Sequence, residues 1–213
     1  MAKKCGFWGG FWDWVPYYWR FRHSPPRGTT LKAIKTLESS HAPHNKPIVD
    51  LGTGQGADAL AFLHAGWRVI AVDTSRVAVW TTRMRAIRHR ISHRLDCIQS
   101  PIEEVVLSDC AGMAGVNASF SLPFSAQEAF AHVWQRLVDA LPAGGVFSGQ
   151  FFGLNDTWAR TPMPNSPTWH VSREDVAEFF QDFIIVDFKE VDEQGGGPRG
   201  KFKHWHVYHV VAV

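Results

Sequence analysis

The sequence predicts one doubly wound α/β fold: a mostly parallel, seven-stranded sheet between two helical layers, hence a three-layer sandwich, ending in an antiparallel carboxyl-terminal hairpin. Three observations carry that expectation. From Pro47 onward, short apolar runs alternate with amphipathic stretches, as a parallel sheet with right-handed crossovers requires. The first such pair is joined by "VDLGTGQGA", which places Gly52, Gly54 and Gly56 where a strand hands over to a helix. After Asp182 the alternation stops, and two apolar runs flank a glycine-rich connection, which forces an antiparallel pair.

Each element follows in order. "HSPPRG" is a breaker, "TTLKAIKTL" a short amphipathic helix and "SSHAPHNKP" a polar linker. "IVDL" is the first strand, and "GADALAFLHAG" a helix stopped by Gly66, which tolerates a left-handed cap. "WRVIAVD" is the second strand. "SRVAVWTTRMRAIRHR" spaces Val77, Trp80, Met84, Ile87 and Ile91 by threes and fours, an amphipathic helix whose arginines lie opposite that stripe as a solvated face. "LDCIQS" is the third strand, and "GVNASFSLPF" the fourth with its exit loop. Ser125 and Glu128 read as a capping box for "AQEAFAHVWQRLVDAL". "PAGG" turns into the fifth strand, "VFSGQFF", and Ser172 with Asp175 caps "VAEFFQDF". "FIIVDFKEV" and "FKHWHVYHVVAV", joined by "DEQGGGPRGK", form the hairpin. Two parts result: an aromatic-rich segment and helix over 1–46, whose aromatics serve either as core or as a lid, and the main domain over 47–213.

At 213 residues, with 45% hydrophobic and 20% charged residues, the chain has the usage of one globular domain and not of a disordered or fibrous protein. A net charge of +2 points to no polyanionic partner. Cys5, Cys97 and Cys110 are odd in number and widely spaced, which fits reduced thiols and a cytoplasmic setting. Asp13 interrupts the aromatic run "GFWGGFWDWVPYYWRF", so it does not read as a signal peptide, and no stretch has the ~18 apolar residues of a membrane helix.

The glycine loop taken alone satisfies a loose dinucleotide pattern. Asp50 argues against that ligand, because a carboxylate two residues before the first glycine opposes a pyrophosphate and welcomes a cation. Asp73 ends the next strand, where a carboxylate can take both hydroxyls of a ribose. The ligand these residues imply is a nucleoside that carries positive charge and no phosphate.

At this point the chain from Pro47 onward resembles the class I S-adenosylmethionine-dependent methyltransferases, in "VDLGTGQG", "VIAVD" and "LPAGG", with "VNASFSLPF" similar to a small-molecule group near the tellurite-resistance branch. The resemblance implies a Rossmann-like fold, S-adenosylmethionine as cofactor and methyl transfer to a small molecule. It implies that Asp50, Gly52, Thr53, Gly54 and Gln55 hold the methionine end and that Asp73 and Thr74 hold the ribose. Where the family often carries an acid for the adenine amine, this chain offers Gln99, Ser100 and Ile102. The acid common before the fourth strand is missing, which leaves Asn117 as the polar group there.

The resemblance also directs attention to His204 and His206 as substrate-facing residues, with Trp158 of "NDTW" and Tyr17, Tyr18 and Trp19 as acceptor contacts. His170, His204 and His206 are candidate bases for a hydroxyl acceptor. His204 and His206 share a strand face and His209 takes the other, so the three do not converge on a metal. No metal, nucleic-acid partner or membrane is expected. The alternatives are a catalytically silent ligand-sensing module, a nicotinamide-dependent oxidoreductase and an RNA methyltransferase that uses the Arg-rich helix.

Overall fold

The computed structural model describes residues 24–105, 112–125, 127–162, 168–197 and 202–213. Its elements are α1 (Gly28–Ser39), β1 (Pro47–Leu51), α2 (Ala57–His64), β2 (Arg68–Asp73), α3 (Arg76–Arg88), β3 (Leu95–Gln99), β4 (Gly115–Ala118), α4 (Gln127–Ala140), β5 (Val146–Phe152), α5 (Thr157–Arg160), α6 (Arg173–Phe179), β6 (Ile185–Gly196) and β7 (Phe202–Ala212). They build one seven-stranded sheet in the order β3-β2-β1-β4-β5-β7-β6. The pairs from β3 through β5 are parallel; β7 runs antiparallel to both β5 and β6. The expected doubly wound sheet with an inverted hairpin is therefore present.

Alternation along the strands divides the core in two. Ile48, Val69, Ala71, Val146 and Val211 face a layer from α1, α2 and Ala86 of α3. Val49, Leu51, Val72, Val116, Phe147 and Phe151 face α4 and α6, where Phe130, Trp134, Trp169 and Phe180 form an aromatic core. A fully buried β1 explains why its sequence is a continuous apolar run broken only by Asp50. Helix α1 lies against β5 and β7, and its Ala33, Ile34 and Leu37 belong to the first of these cores.

Four local expectations change. In α3 the buried residues are Ala78, Thr82 and Ala86, while Trp80, Met84 and Ile87 are 64%, 42% and 48% exposed, so the middle of the apolar stripe points away from the sheet. The cause is close approach to the glycine loop, where a Cβ on Gly56 would meet Thr82; only small side chains fit between helix and sheet. The hairpin strands extend through "DEQGG", with β6 continuing to Gly196. A short helix, α5, occupies the expected "NDTW" loop, capped by Asp156. Ser125 Oγ donates to the Leu122 carbonyl and accepts the Trp169 indole N–H, tying the start of α4 to another segment. The Ser172–Asp175 capping box is present as expected. Tyr17, Tyr18, Trp19, Cys5 and Cys110 lie outside the described residues; Cys97 is a free thiol.

Candidate functional site

The carboxyl ends of β1, β2 and β4 meet where the strand order reverses, the place where open α/β sheets leave a crevice. Register sets Asp50 opposite Asn117, and Asn117 opposite Ser148. Their side chains form a buried polar ladder. Asn117 Nδ2 donates to Asp50 Oδ1 at 2.7 Å, and Asn117 Oδ1 accepts from Ser148 Oγ at 2.7 Å and from Thr30 Oγ1 of α1 at 3.2 Å. Gln150 continues it, donating to Thr29 Oγ1 at 2.8 Å and accepting the Phe120 N–H at 2.9 Å. Phe120 has φ 52°, a left-handed conformation costly for a bulky residue, and the Gln150 amide helps to hold it.

The glycine loop wraps the end of β1. Gly52 and Thr53 both donate backbone N–H groups to the Val72 carbonyl, at 2.8 and 2.9 Å. Gly52 has φ 70°, and a Cβ there would run into Ser121. From α3, Thr82 Oγ1 donates to the Gly54 carbonyl and Arg85 Nη1 to the Gln55 carbonyl at 2.6 Å. This is a backbone cradle braced from outside.

Asp73 closes the cradle on the β2 side. Its Oδ2 accepts the Gly54 N–H at 2.9 Å and its Oδ1 the Ser75 N–H at 2.8 Å. Burial nevertheless raises its pKa, against those two amides. Ser75, not Asp73, caps α3. Thr74 is exposed, with its carbonyl accepting from Gln99 Nε2. The Ser100 N–H donates to the Asp73 carbonyl at 3.1 Å, and half-buried Ile102 packs on the core one turn further on. Arg136 of α4 donates to the Glu103 and Val105 carbonyls and so fixes that turn. The ten residues expected around a cofactor thus lie at the ends of four adjacent strands, β3, β2, β1 and β4.

Asp50 is strongly perturbed as well. Burial, then the neighbouring Asp58 carboxylate, push its pKa up to about 7. Its Oδ2 is buried and makes no hydrogen bond among the described residues, although the nearby Thr53 hydroxyl offsets part of the upward push on its pKa; Thr53 Oγ1, Gln55 Oε1 and Ser121 Oγ are likewise buried without partners. Buried polar atoms without partners are rare in folded proteins. Four of them around one bare backbone loop fit a polar ligand that supplies donors. A positively charged donor fits Asp50 best.

Beyond Phe120, toward β7, the surface becomes aromatic. Phe120 lies 6.0 Å from Phe152 and 6.3 Å from Trp205, and Trp158 lies 5.6 Å from Trp205 and 6.1 Å from Phe124. Trp158, expected as an acceptor contact, is part of this aromatic surface. The two histidines behave differently. His206 is buried, with Nδ1 accepting the Asn155 N–H and Nε2 on Glu190 at 2.9 Å. His204 pairs with Asp192 and Gln194 on the hairpin's outer side. His170 stacks on Phe152 at 5.9 Å, and its buried Nε2 has no partner among the described residues. The sequence reading missed Thr29, Thr30, Ser148 and Gln150. Their available signal was polar residues inside "VFSGQFF", a strand otherwise built for a core.

No protein-family model and no curated protein sequence matches this chain. Solved structures do match in shape. TehB from Haemophilus influenzae aligns with a TM-score of 0.67 at 12% identity, over 84% of this chain and 60% of TehB. The fold is that of the class I methyltransferases. The magnesium protoporphyrin IX methyltransferase ChlM from Synechocystis PCC 6803, solved with bound S-adenosylhomocysteine, aligns with a TM-score of 0.63 at 14% identity, over 90% of this chain and 92% of ChlM. The 1,6-didemethyltoxoflavin-N1-methyltransferase of Burkholderia thailandensis, solved with its substrate and S-adenosylhomocysteine, gives 0.61 at 20% identity, over 94% and 84%. This chain thus spans 60% of the length of TehB but most of the length of the other two. Among the described residues, no helix is long and apolar enough to cross a membrane.

Proposed function

We propose that this chain transfers a methyl group from S-adenosylmethionine to a small-molecule acceptor. The observation that carries the reading is Asp50 Oδ2, a buried carboxylate oxygen at the lip of a glycine cradle with no hydrogen-bond partner among the described residues. An ammonium at that point satisfies the oxygen and neutralises the carboxylate. When bound, S-adenosylmethionine supplies an activated methyl on a sulfonium, which is a good leaving group. Asp50, Asn117 and the 52–55 loop hold the methionine end, Asp73 and Thr74 the ribose, and Ser100 with Ile102 the adenine side. The neighbours' own acceptors, a toxoflavin precursor and a metalloporphyrin, support a small molecule here.

The protein's remaining task is alignment and exclusion of water. Positioning of this kind accounts for roughly 7–11 kcal/mol of barrier reduction. Phe120, Phe124, Trp158 and Trp205 supply the wall against which an acceptor is held. For a hydroxyl acceptor, His170 is the better base: burial pushes its pKa down, so it is neutral and able to take a proton, whereas the rings of His204 and His206 are committed to carboxylates. Residues 1–20 serve as the lid. In support, the Arg27 N–H donates to Asp58 at 2.7 Å and the Arg27 guanidinium lies over the Phe120 ring, so Arg27 sits at the rim of the cradle.

Calorimetric titration tests the reading. S-adenosylhomocysteine binds at micromolar concentration and NAD does not; the reverse order overturns it. Turnover against a panel of phenols, heterocycles and carboxylic acids then separates an enzyme from a silent sensor, which binds without product.

A further inference from the structure

Lys203 is a charged residue in an unusual place. Its side chain is 5% exposed, and its ammonium lies 3.6 Å from the ring centre of Trp158, 3.9 Å from that of Trp205 and 5.5 Å from that of Phe152. It is paired with Asp156, whose side chain is fully buried. Asp156 is itself bonded through both oxygens: Oδ1 also accepts the Trp158 N–H, and Oδ2 accepts the His206 N–H. Aromatic faces around a buried carboxylate form the kind of site that captures alkylammonium ligands. Here the chain's own lysine occupies it.

The site abuts the acceptor wall. Trp205 and Phe152 both reach Phe120, the residue held in a left-handed turn three positions after Asn117, and Asn117 bonds Asp50. Trp158 and Trp205 are half-buried, so part of each indole remains exposed. The pair meets edge to face, with ring planes 68° apart. An ion pair of this burial does little for stability relative to apolar residues of the same volume. Fixing two indoles at a set angle is something it does do.

We propose that Lys203 is a specificity-determining and positioning residue of the acceptor site: its ammonium fills the Trp158–Trp205–Phe152 cage from inside, so the acceptor is a planar, uncharged or anionic ring laid on the open indole surface and not an ammonium compound. The inference rests on the methyl-transfer reading for its location. It adds the chemical class of the acceptor. It also assigns Asp156, through Lys203, to holding the indole wall.

The test uses the full chain loaded with S-adenosylhomocysteine and a matched pair of probes, 2-naphthol and 2-naphthyltrimethylammonium, followed by quenching of tryptophan fluorescence. The wild-type protein binds 2-naphthol at least tenfold more tightly than the cation. Equal affinity, preference for the cation, or no binding of 2-naphthol up to its solubility overturns the proposal. Lys203→Ala vacates the cage: affinity for 2-naphthol falls at least fivefold, the cation now binds, and tetramethylammonium restores 2-naphthol binding. Lys203→Arg keeps a cation and stays within threefold of wild type. An alanine variant that binds 2-naphthol as well as wild type sinks the positioning role. If the alanine variant does not fold, the wild-type selectivity and the arginine variant still decide. Failure of the broader reading looks different, since S-adenosylhomocysteine then does not bind the wild-type chain at all.

Discussion

Asp50 is held at the carboxyl end of β1 by one strong hydrogen bond from Asn117, and its Oδ2 makes no hydrogen bond among the described residues. With its pKa raised to about 7, it holds a proton across mildly acidic conditions and must lose it to meet an ammonium. Affinity for S-adenosylhomocysteine therefore rises as pH climbs from 6 to 8, and titration in buffers of different ionisation enthalpy shows proton release near pH 6; Asp50→Asn flattens both. The sign for stability is opposite. Between pH ~4 and ~7 the folded chain keeps a proton that the unfolded chain has lost, so this group's contribution to stability declines as pH rises through that window. Thermal unfolding of the ligand-free protein and of Asp50→Asn across the window checks it. Asp73 uses one lone pair on each oxygen for a backbone amide, which leaves the others for ribose hydroxyls. Asp73→Ala is expected to weaken cofactor binding at least tenfold while circular dichroism stays native; unchanged affinity removes the ribose assignment.

Helix α3 shows where periodicity misleads at the level of an element. The spacing of Val77, Trp80, Met84, Ile87 and Ile91 describes an apolar face correctly, yet the helix buries a strip of small residues instead. Its position is set by contacts to the glycine loop, from Thr82 and Arg85, and not by hydrophobic area. Trp80→Gln should consequently change unfolding free energy by less than about 0.5 kcal/mol, as for ordinary surface sites, whereas a Trp in a core costs about 3–5 kcal/mol when truncated. Denaturant titration distinguishes the two. The glycine loop is less tolerant. Gly52→Ala demands a left-handed alanine and drives its Cβ into Ser121, so both stability and affinity for S-adenosylhomocysteine fall, the latter by tenfold or more.

Across the whole molecule, the sheet's carboxyl edge is divided by charge: Asp50, Asp58 and Asp73 surround the cradle, while the aromatic half beyond Phe120 carries Lys203 with its counterion buried beneath. A cationic cofactor and a non-cationic acceptor suit the two halves. Deleting residues 1–20 is expected to leave S-adenosylhomocysteine binding within threefold and to lower turnover at least tenfold; undiminished turnover disposes of the lid. The sequence by itself determined the strand and helix alternation, the inverted hairpin, the glycine cradle and the two acids at the strand ends. These are local: each depends on residues near one another in the chain, through turn chemistry and side-chain period. Only the tertiary structure decided which face α3 buries, that His204 and His206 are tied to Asp192 and Glu190, and that Thr30, Asn117 and Asp50 form one ladder. Partners such as Thr30 and Asn117, 87 residues apart, are brought together by strand order and register, which no local pattern encodes.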